Sequence, residues 1–227
     1  MDKQAVLAQI LEIGIIPVVR ATSGKQARLA AEAVAAGGIP VVEITMTVPG
    51  ALDVIRELAG QRVNKVLIGA GTVLDAEMAK RCLDAGAQFL VSPGFDGGMI
   101  AAAREADVVV VAGALTPTEV MAAIKAGADL VKIFPCAQVG GAAYIKALRG
   151  PFPKVPLVPT GGVNLKTAAD FLRAGASALG IGGELVERAA LESGKSARIV
   201  ENARQYAALV RQTREELGQA QPLAVAR

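Results

Sequence analysis

The sequence contains no histidine. That excludes a Ser-His-Asp triad, a Cys-His pair and histidine-ligated zinc, so any proton transfer falls to carboxylate, lysine, tyrosine, cysteine or water. Aromatic residues make up 3% of the chain against 52% hydrophobic residues. The core must therefore be built from Ala, Val, Ile and Leu, a composition that suits layers of branched side chains in a parallel sheet with helices around it. The two cysteines, Cys82 and Cys136, form no CxxC and no metal-ligand spacing, so free thiols in a reducing cytoplasm are expected, with no metal and no cofactor. No apolar run reaches the ~18 residues of a membrane helix. The start, MDKQAVLAQILEIGI, is patterned as an amphipathic helix and lacks the basic n-region and unbroken apolar core of a signal peptide. Net charge is +3, with acidic and basic residues interspersed, which leaves no footprint for nucleic acid. The expectation is a cytoplasmic protein with neither membrane nor nucleic-acid partner, its 227 residues forming one domain over 1–227.

Short apolar runs recur at even intervals: IIPVVR (15–20), VVEITM (41–46), VLIGAG (66–71), FLVSP (89–93), VVVVAGA (108–114), LVKIFP (130–135), LVPTGG (157–162) and ALGIGG (178–183). Between them lie Ala-rich segments of helical period. SGKQARLAAEAVAAGG opens on a cap-type serine, Ser23, and stops at Gly37. DAEMAKRCLDAG, TPTEVMAAIKAG and NLKTAADFLRAG repeat that design, each beginning with a cap-type residue. Strands alternating with helices predict a parallel sheet with right-handed crossovers. The fold class is α/β, and eight such units predict a closed (β/α)8 TIM barrel. The rival open sheet lacks its GxGxxG fingerprint after the first strand. Residues 3–13 are expected to form an extra N-terminal helix closing the barrel bottom, residues 194–217 a last helix, and the tail QAQPLAVAR a frayed end.

Active sites of such barrels lie at the C-terminal ends of the strands. Polar residues collect there: Arg20, Glu43 with Thr45, Thr72, Ser92-Pro93, Lys132 and Thr160. Lys132 is the odd member. Its neighbours Leu130, Val131, Ile133 and Phe134 read as a strand buried on both faces, where a lysine is costly unless it is paired or neutral. Glu43 and Lys132 stand on even strands, so they can share one interior layer and face each other. That arrangement is either a buried ion pair or chemistry. Ion pairs of this kind stabilise poorly. Apolar walls and a nearby Arg20 favour the neutral amine, which can attack a ketone and form a Schiff base, with Glu43 moving the protons. The Gly-Gly turns after strands 7 and 8 stand where this architecture often binds phosphate through backbone N–H groups.

These segments, together with EITMTVPGA, IGAGTV, VSPGFD, TPTE, VKIFP, GPFP and VPTGGV in order, resemble the KDPG/KHG aldolases (2-dehydro-3-deoxy-6-phosphogluconate and 4-hydroxy-2-oxoglutarate aldolases). The resemblance runs from residue 15 to about residue 186. It implies a class I aldolase on a (β/α)8 barrel, a homotrimer, that cleaves a 2-keto-4-hydroxy acid to pyruvate and an aldehyde. For the phosphorylated substrate the aldehyde is glyceraldehyde 3-phosphate. By motif, Lys132 is the Schiff-base lysine and Glu43 the general acid/base. Arg20 and Thr72 hold the pyruvate end, and Pro93 shapes the pocket. Thr160, Gly161 and Gly162 line the site after strand 7, and Gly182 and Gly183 complete the phosphate end. Thr47 is a further substrate-binding position; some members carry there an arginine for the substrate carboxylate. Many members have a phosphate-binding serine where this chain has Gly183, and here Glu184 follows. A carboxylate repels a phosphate dianion unless it points away, which leaves an unphosphorylated keto acid as the alternative substrate.

Two other classes compete with a Schiff-base aldolase. A non-covalent phosphate-binding barrel isomerase or epimerase explains the Gly-Gly turns but gives Lys132 no role. A non-catalytic barrel predicts no covalent adduct at all. Cys136 reads as a small apolar filler, Tyr144 and Asp96 as packing or surface residues, and Glu184 as a first-turn helix residue favoured by the dipole.

Overall fold

The structure is a computed structural model that describes residues 2–61 and 66–218. Eight strands stand in sequential order around a barrel: β1 (Ile15–Val19), β2 (Val41–Thr45), β3 (Leu67–Gly71), β4 (Phe89–Val91), β5 (Val109–Ala114), β6 (Leu130–Ile133), β7 (Leu157–Pro159) and β8 (Leu179–Ile181). All pairings are parallel, β8 returns to pair with β1, and a single bridge between Thr160 and Gly180 joins β7 to β8. Every expected apolar run is a strand, and each strand is buried along its whole length. Both faces are covered, which is why the runs read as continuous rather than alternating.

The helices are α1 (Lys3–Ile13), α2 (Gly24–Ala36), α3 (Ala51–Gly60), α4 (Ala76–Asp84), α5 (Gly97–Glu105), α6 (Pro117–Ala126), α7 (Gly141–Arg149), α8 (Ala168–Arg173), α9 (Arg188–Glu192) and α10 (Ser196–Glu216). Their starts follow from capping chemistry. Asp2, Ser23, Asp75 and Asp96 each accept a hydrogen bond from a first-turn N–H. Thr116 and Glu119 form a reciprocal capping box with Pro117 inside the first turn. Gly37 ends α2 as expected.

Two local expectations are corrected. Asn164 does not cap α8. Its Oδ1 accepts from the N–H groups of Lys166 and Thr167 in a local turn, and the helix begins only at Ala168. Glu184 is not in a helix. It lies in a turn closed by the Leu185 and Val186 N–H groups on the Gly182 carbonyl, and α9 starts at Arg188. The expected frayed tail, 219–227, lies outside the described residues.

The core has two compartments. One lies between the sheet and the surrounding helices. The other is the lower barrel interior, where Val6, Leu7, Ile10 and Leu11 of α1 meet Val41, Leu67, Val109 and Leu130, the first residues of their strands. The extra helix therefore plugs the N-terminal end of the barrel. Arg214 of α10 secures it by donating to the carbonyls of Glu12 at 2.6 Å, Leu11 at 2.8 Å and Ser177 at 3.0 Å. Among the described residues the N-terminal end is thus filled, and the C-terminal ends of the strands are left as the entrance. No helix among the described residues is long and apolar enough to cross a membrane.

Candidate active site

Above the apolar plug the interior changes character. Alternation along each strand turns Glu43 and Thr45 of β2, Gly69 and Gly71 of β3, Gly113 of β5 and Lys132 of β6 inward, with Thr160 following β7. Glu43, Lys132 and Thr160 are buried, at 2%, 4% and 5% exposure. Lys132 Nζ lies 4.0 Å from Glu43 Oε1. This is beyond direct hydrogen-bond length but within reach of a shared intervening atom. Glu43 Oε1 is buried and has no hydrogen-bond partner. Lys132 Nζ also stands over the Phe134 ring, 5.4 Å from its centroid.

Burial pushes the Glu43 carboxyl above its ordinary value; the charges of Lys132 and then Arg20 pull it back without offsetting the burial. Arg20 itself is exposed at the end of β1. The carboxyl thus sits where burial disfavours its charged form.

The interior glycines explain how these side chains fit. A Cβ on Gly71 would lie 1.9 Å from Glu43 Oε1, and one on Gly180 would lie 2.1 Å from Thr160 Oγ1. A Cβ on Gly69 would strike the Phe89 ring, and one on Gly113 the backbone of Pro93 and Gly94. Sequence reasoning missed Gly71, Gly113 and Gly180. The period-two alternation that turned Glu43 inward was the available signal, since it turns Gly69 and Gly71 inward as well.

The remaining predicted site residues stand at the same end. Thr47 is exposed. Its hydroxyl is 2.7 Å from that of Thr45, which donates to the Val19 carbonyl at 3.0 Å. Thr72 holds φ of 58°, an uncommon conformation for a residue with a branched side chain. Pro93 is half-buried. Its predecessor Ser92 donates to the Gly94 carbonyl at 2.7 Å and accepts from the Gly113 N–H at 3.0 Å, which fixes the turn.

The two Gly-Gly turns differ. Gly161 and Gly162 both have positive φ, 88° and 80°, and a Cβ on Gly162 would press on Ala137 at 2.2 Å. Conformation and packing explain them. At Gly182 and Gly183 neither reason applies, because an added Cβ would meet nothing within 4 Å and φ is not in the left-handed region. The backbone there is open to close approach from outside.

Glu184 lines a cleft of about 320 Å³ with Asn164, Lys166, Asn202 and Tyr206, between the loops after β7 and β8 and helix α10. Burial, and next the Glu184 charge, push the Tyr206 phenol up to about 12.

Of the other polar candidates, Asp96 caps α5 and the Tyr144 hydroxyl donates to the Leu115 carbonyl. Cys136 is buried, and burial pushes its thiol up to about 11. Among the described residues no three His, Cys, Asp or Glu side chains group as a metal site.

The family profile for "KDPG and KHG aldolase" matches residues 6–202. The 2-dehydro-3-deoxy-phosphogluconate aldolase of Dickeya dadantii is 38% identical over 202 residues, covering 88% of this chain and 94% of that protein. The KHG/KDPG aldolase of Escherichia coli K12 is 37% identical over 192 residues, covering 84% and 89%. Among solved structures, the KDPG aldolase of Legionella pneumophila, with pyruvate captured as a covalent carbinolamine, superposes with a TM-score of 0.80 at 32% identity, covering 88% of this chain and 95% of that one.

Proposed function

The chain belongs to the KDPG and KHG aldolase family, and from that premise we propose that it is a class I aldolase cleaving 2-keto-3-deoxy-6-phosphogluconate to pyruvate and glyceraldehyde 3-phosphate. The observation that carries the reading is the buried Lys132 amine 4.0 Å from a buried carboxyl at the open end of the barrel.

In the proposed cycle the Lys132 amine adds to the C2 ketone, and loss of water from the carbinolamine gives an iminium. Glu43 takes the proton of the C4 hydroxyl. The C3–C4 electron pair flows into the iminium, releasing the aldehyde and leaving an enamine. Glu43 returns its proton to C3, and water hydrolyses the resulting pyruvate iminium to free Lys132. One carboxyl cycling between acid and base needs a proton affinity above the ordinary carboxyl range, which is the direction burial gives Glu43. Arg20, Thr47 and Thr72 are assigned to the carboxylate end, Pro93 to the pocket wall, and Thr160, Gly161 and Gly162 to the wall after β7. Gly182 and Gly183 are assigned to the phosphate. The open space over both glycines favours the phosphorylated substrate. The missing side chain at Gly183 favours an unphosphorylated keto acid as the second reading.

Borohydride reduction with pyruvate, followed by peptide mass spectrometry, tests the chemistry. A pyruvyl adduct on Lys132 is expected. Its absence from folded protein overturns the reading. Retro-aldol rates on the phosphorylated and unphosphorylated keto acids then rank the two substrates.

A homotrimer in the cytoplasm belongs to the same proposal. The exposed apolar side chains Leu74, Phe95, Met121 and Ile124 offer surface for subunit contacts.

A further inference from the structure

Strand β3 ends on Gly71, held on one side by Thr45 of β2 and on the other by Val91 of β4. Its φ is not in the left-handed region, so alanine could adopt the same backbone. What excludes a side chain is a neighbour. A Cβ there would lie 1.9 Å from Oε1, 2.4 Å from Cδ and 2.5 Å from Cγ of Glu43, and these are the three nearest atoms. Glu43 fills the volume that any other residue at 71 would claim. No hydrogen bond fixes Oε1. Packing against the bare β3 backbone is what holds this oxygen, with the Lys132 Nζ 4.0 Å away.

We propose that Gly71 is the positioning residue for Glu43. Its missing side chain is the seat of the carboxylate, and that seat sets the 4.0 Å separation from Lys132 Nζ. The inference rests on the reading of Glu43 as the proton carrier.

In Gly71→Ala the side chain of Glu43 must retreat, because the clash lies with its flexible end and not with backbone. Restoring contact from 1.9 Å to about 3 Å takes a movement of about 1 Å, and a misplacement of that size can cost about 10²-fold. Lys132 is untouched, so borohydride still traps pyruvate on it. Exchange of the pyruvate methyl protons with solvent deuterium, which needs the proton carrier but no aldehyde, falls about 10²-fold, and kcat for cleavage falls with it while KM changes little.

Two further variants separate this from general damage. Glu43→Gln must itself slow the exchange; if it does not, the reading of Glu43 fails and the proposal with it. If Glu43→Gln is slow and Gly71→Ala exchanges at the wild-type rate, the positioning role alone is overturned. Should Gly71→Ala fold poorly, thermal stability decides. The cost of Gly71→Ala must disappear in a Glu43→Ala background, where the seat is empty. An equal cost in both backgrounds overturns the proposal.

Discussion

The Glu43 carboxyl gives the barrel a pH dependence that can be isolated from catalysis. In Lys132→Met an unbranched apolar side chain replaces the amine. Glu43 then loses the larger of the two charges that pull its proton affinity down, while the burial that raises it remains. The native state thus holds a proton that the unfolded chain releases near pH ~4.3. For a raised group the sign is fixed. Above that pH the native state binds more protons than the unfolded one, so stability falls as pH rises, until the folded-state pKa is passed. The slope for one proton is about 1.4 kcal/mol per pH unit. For a chain of this length that corresponds to roughly 3–5 °C of Tm per pH unit. Lys132→Met with Glu43→Gln removes the titrating group but keeps its shape over Gly71. Tm of the single and double variants, measured from pH 4.5 to 8, should therefore diverge, the double variant becoming relatively more stable as pH rises until the folded-state pKa of Glu43 is passed. A constant offset reports only the buried amide; the widening gap reports Glu43. In the wild type the same window is narrower, because Lys132 lowers the carboxyl. Parallel curves would refute the claim that burial dominates at Glu43.

Arg214→Ala removes three charge-assisted hydrogen bonds to the end of α1 and to Ser177. It should cost about 2–4 kcal/mol, or roughly 5–15 °C in Tm, and a change under ~1 °C in calorimetry would show that α1 is held without it. Ser92→Ala leaves the buried Gly113 N–H without its acceptor. A loss of ~1–3 kcal/mol in denaturant unfolding is expected, with a raised KM for pyruvate because Pro93 is no longer fixed; an unchanged KM would detach this turn from the pocket.

Much of this was legible because the signals are local or periodic. Apolar runs bounded by Ala-Gly mark the strands, and Ser23, Asp75 and Thr116 mark helix starts through hydrogen bonds to residues three positions on. The partnership of Glu43 and Lys132 was legible from strand parity, since a closed barrel brings even strands into one layer. Asn164 misled because a side chain that can cap a helix can equally close a turn upstream of one. Glu184 misled because the chain makes a turn on the Gly182 carbonyl before α9 begins at Arg188. The interior glycines were not legible as packing partners. A glycine in a strand reads as a turn or a weak point until the neighbour that fills its space is known, and at Gly71 that neighbour is 28 residues away on another strand.

The state of Glu43 is itself an argument for function. Among the described residues, its Oε1 is the sole buried side-chain nitrogen or oxygen without a hydrogen-bond partner. Elsewhere the fold satisfies such atoms, as with Thr45 on the Val19 carbonyl, Ser92 on Gly94 and Gly113, and Asn202 on Leu185 and Glu187. An unpaired buried acceptor costs about 1–3 kcal/mol. An apolar pair of the same shape as Glu43 and Lys132 would be at least as stable. The bare strand at Gly71 adds no side-chain packing of its own and only leaves room for the carboxyl. Stability alone therefore favours neither the carboxyl nor the bare strand beside it. Both make sense if the oxygen is kept free for a proton that arrives with the substrate.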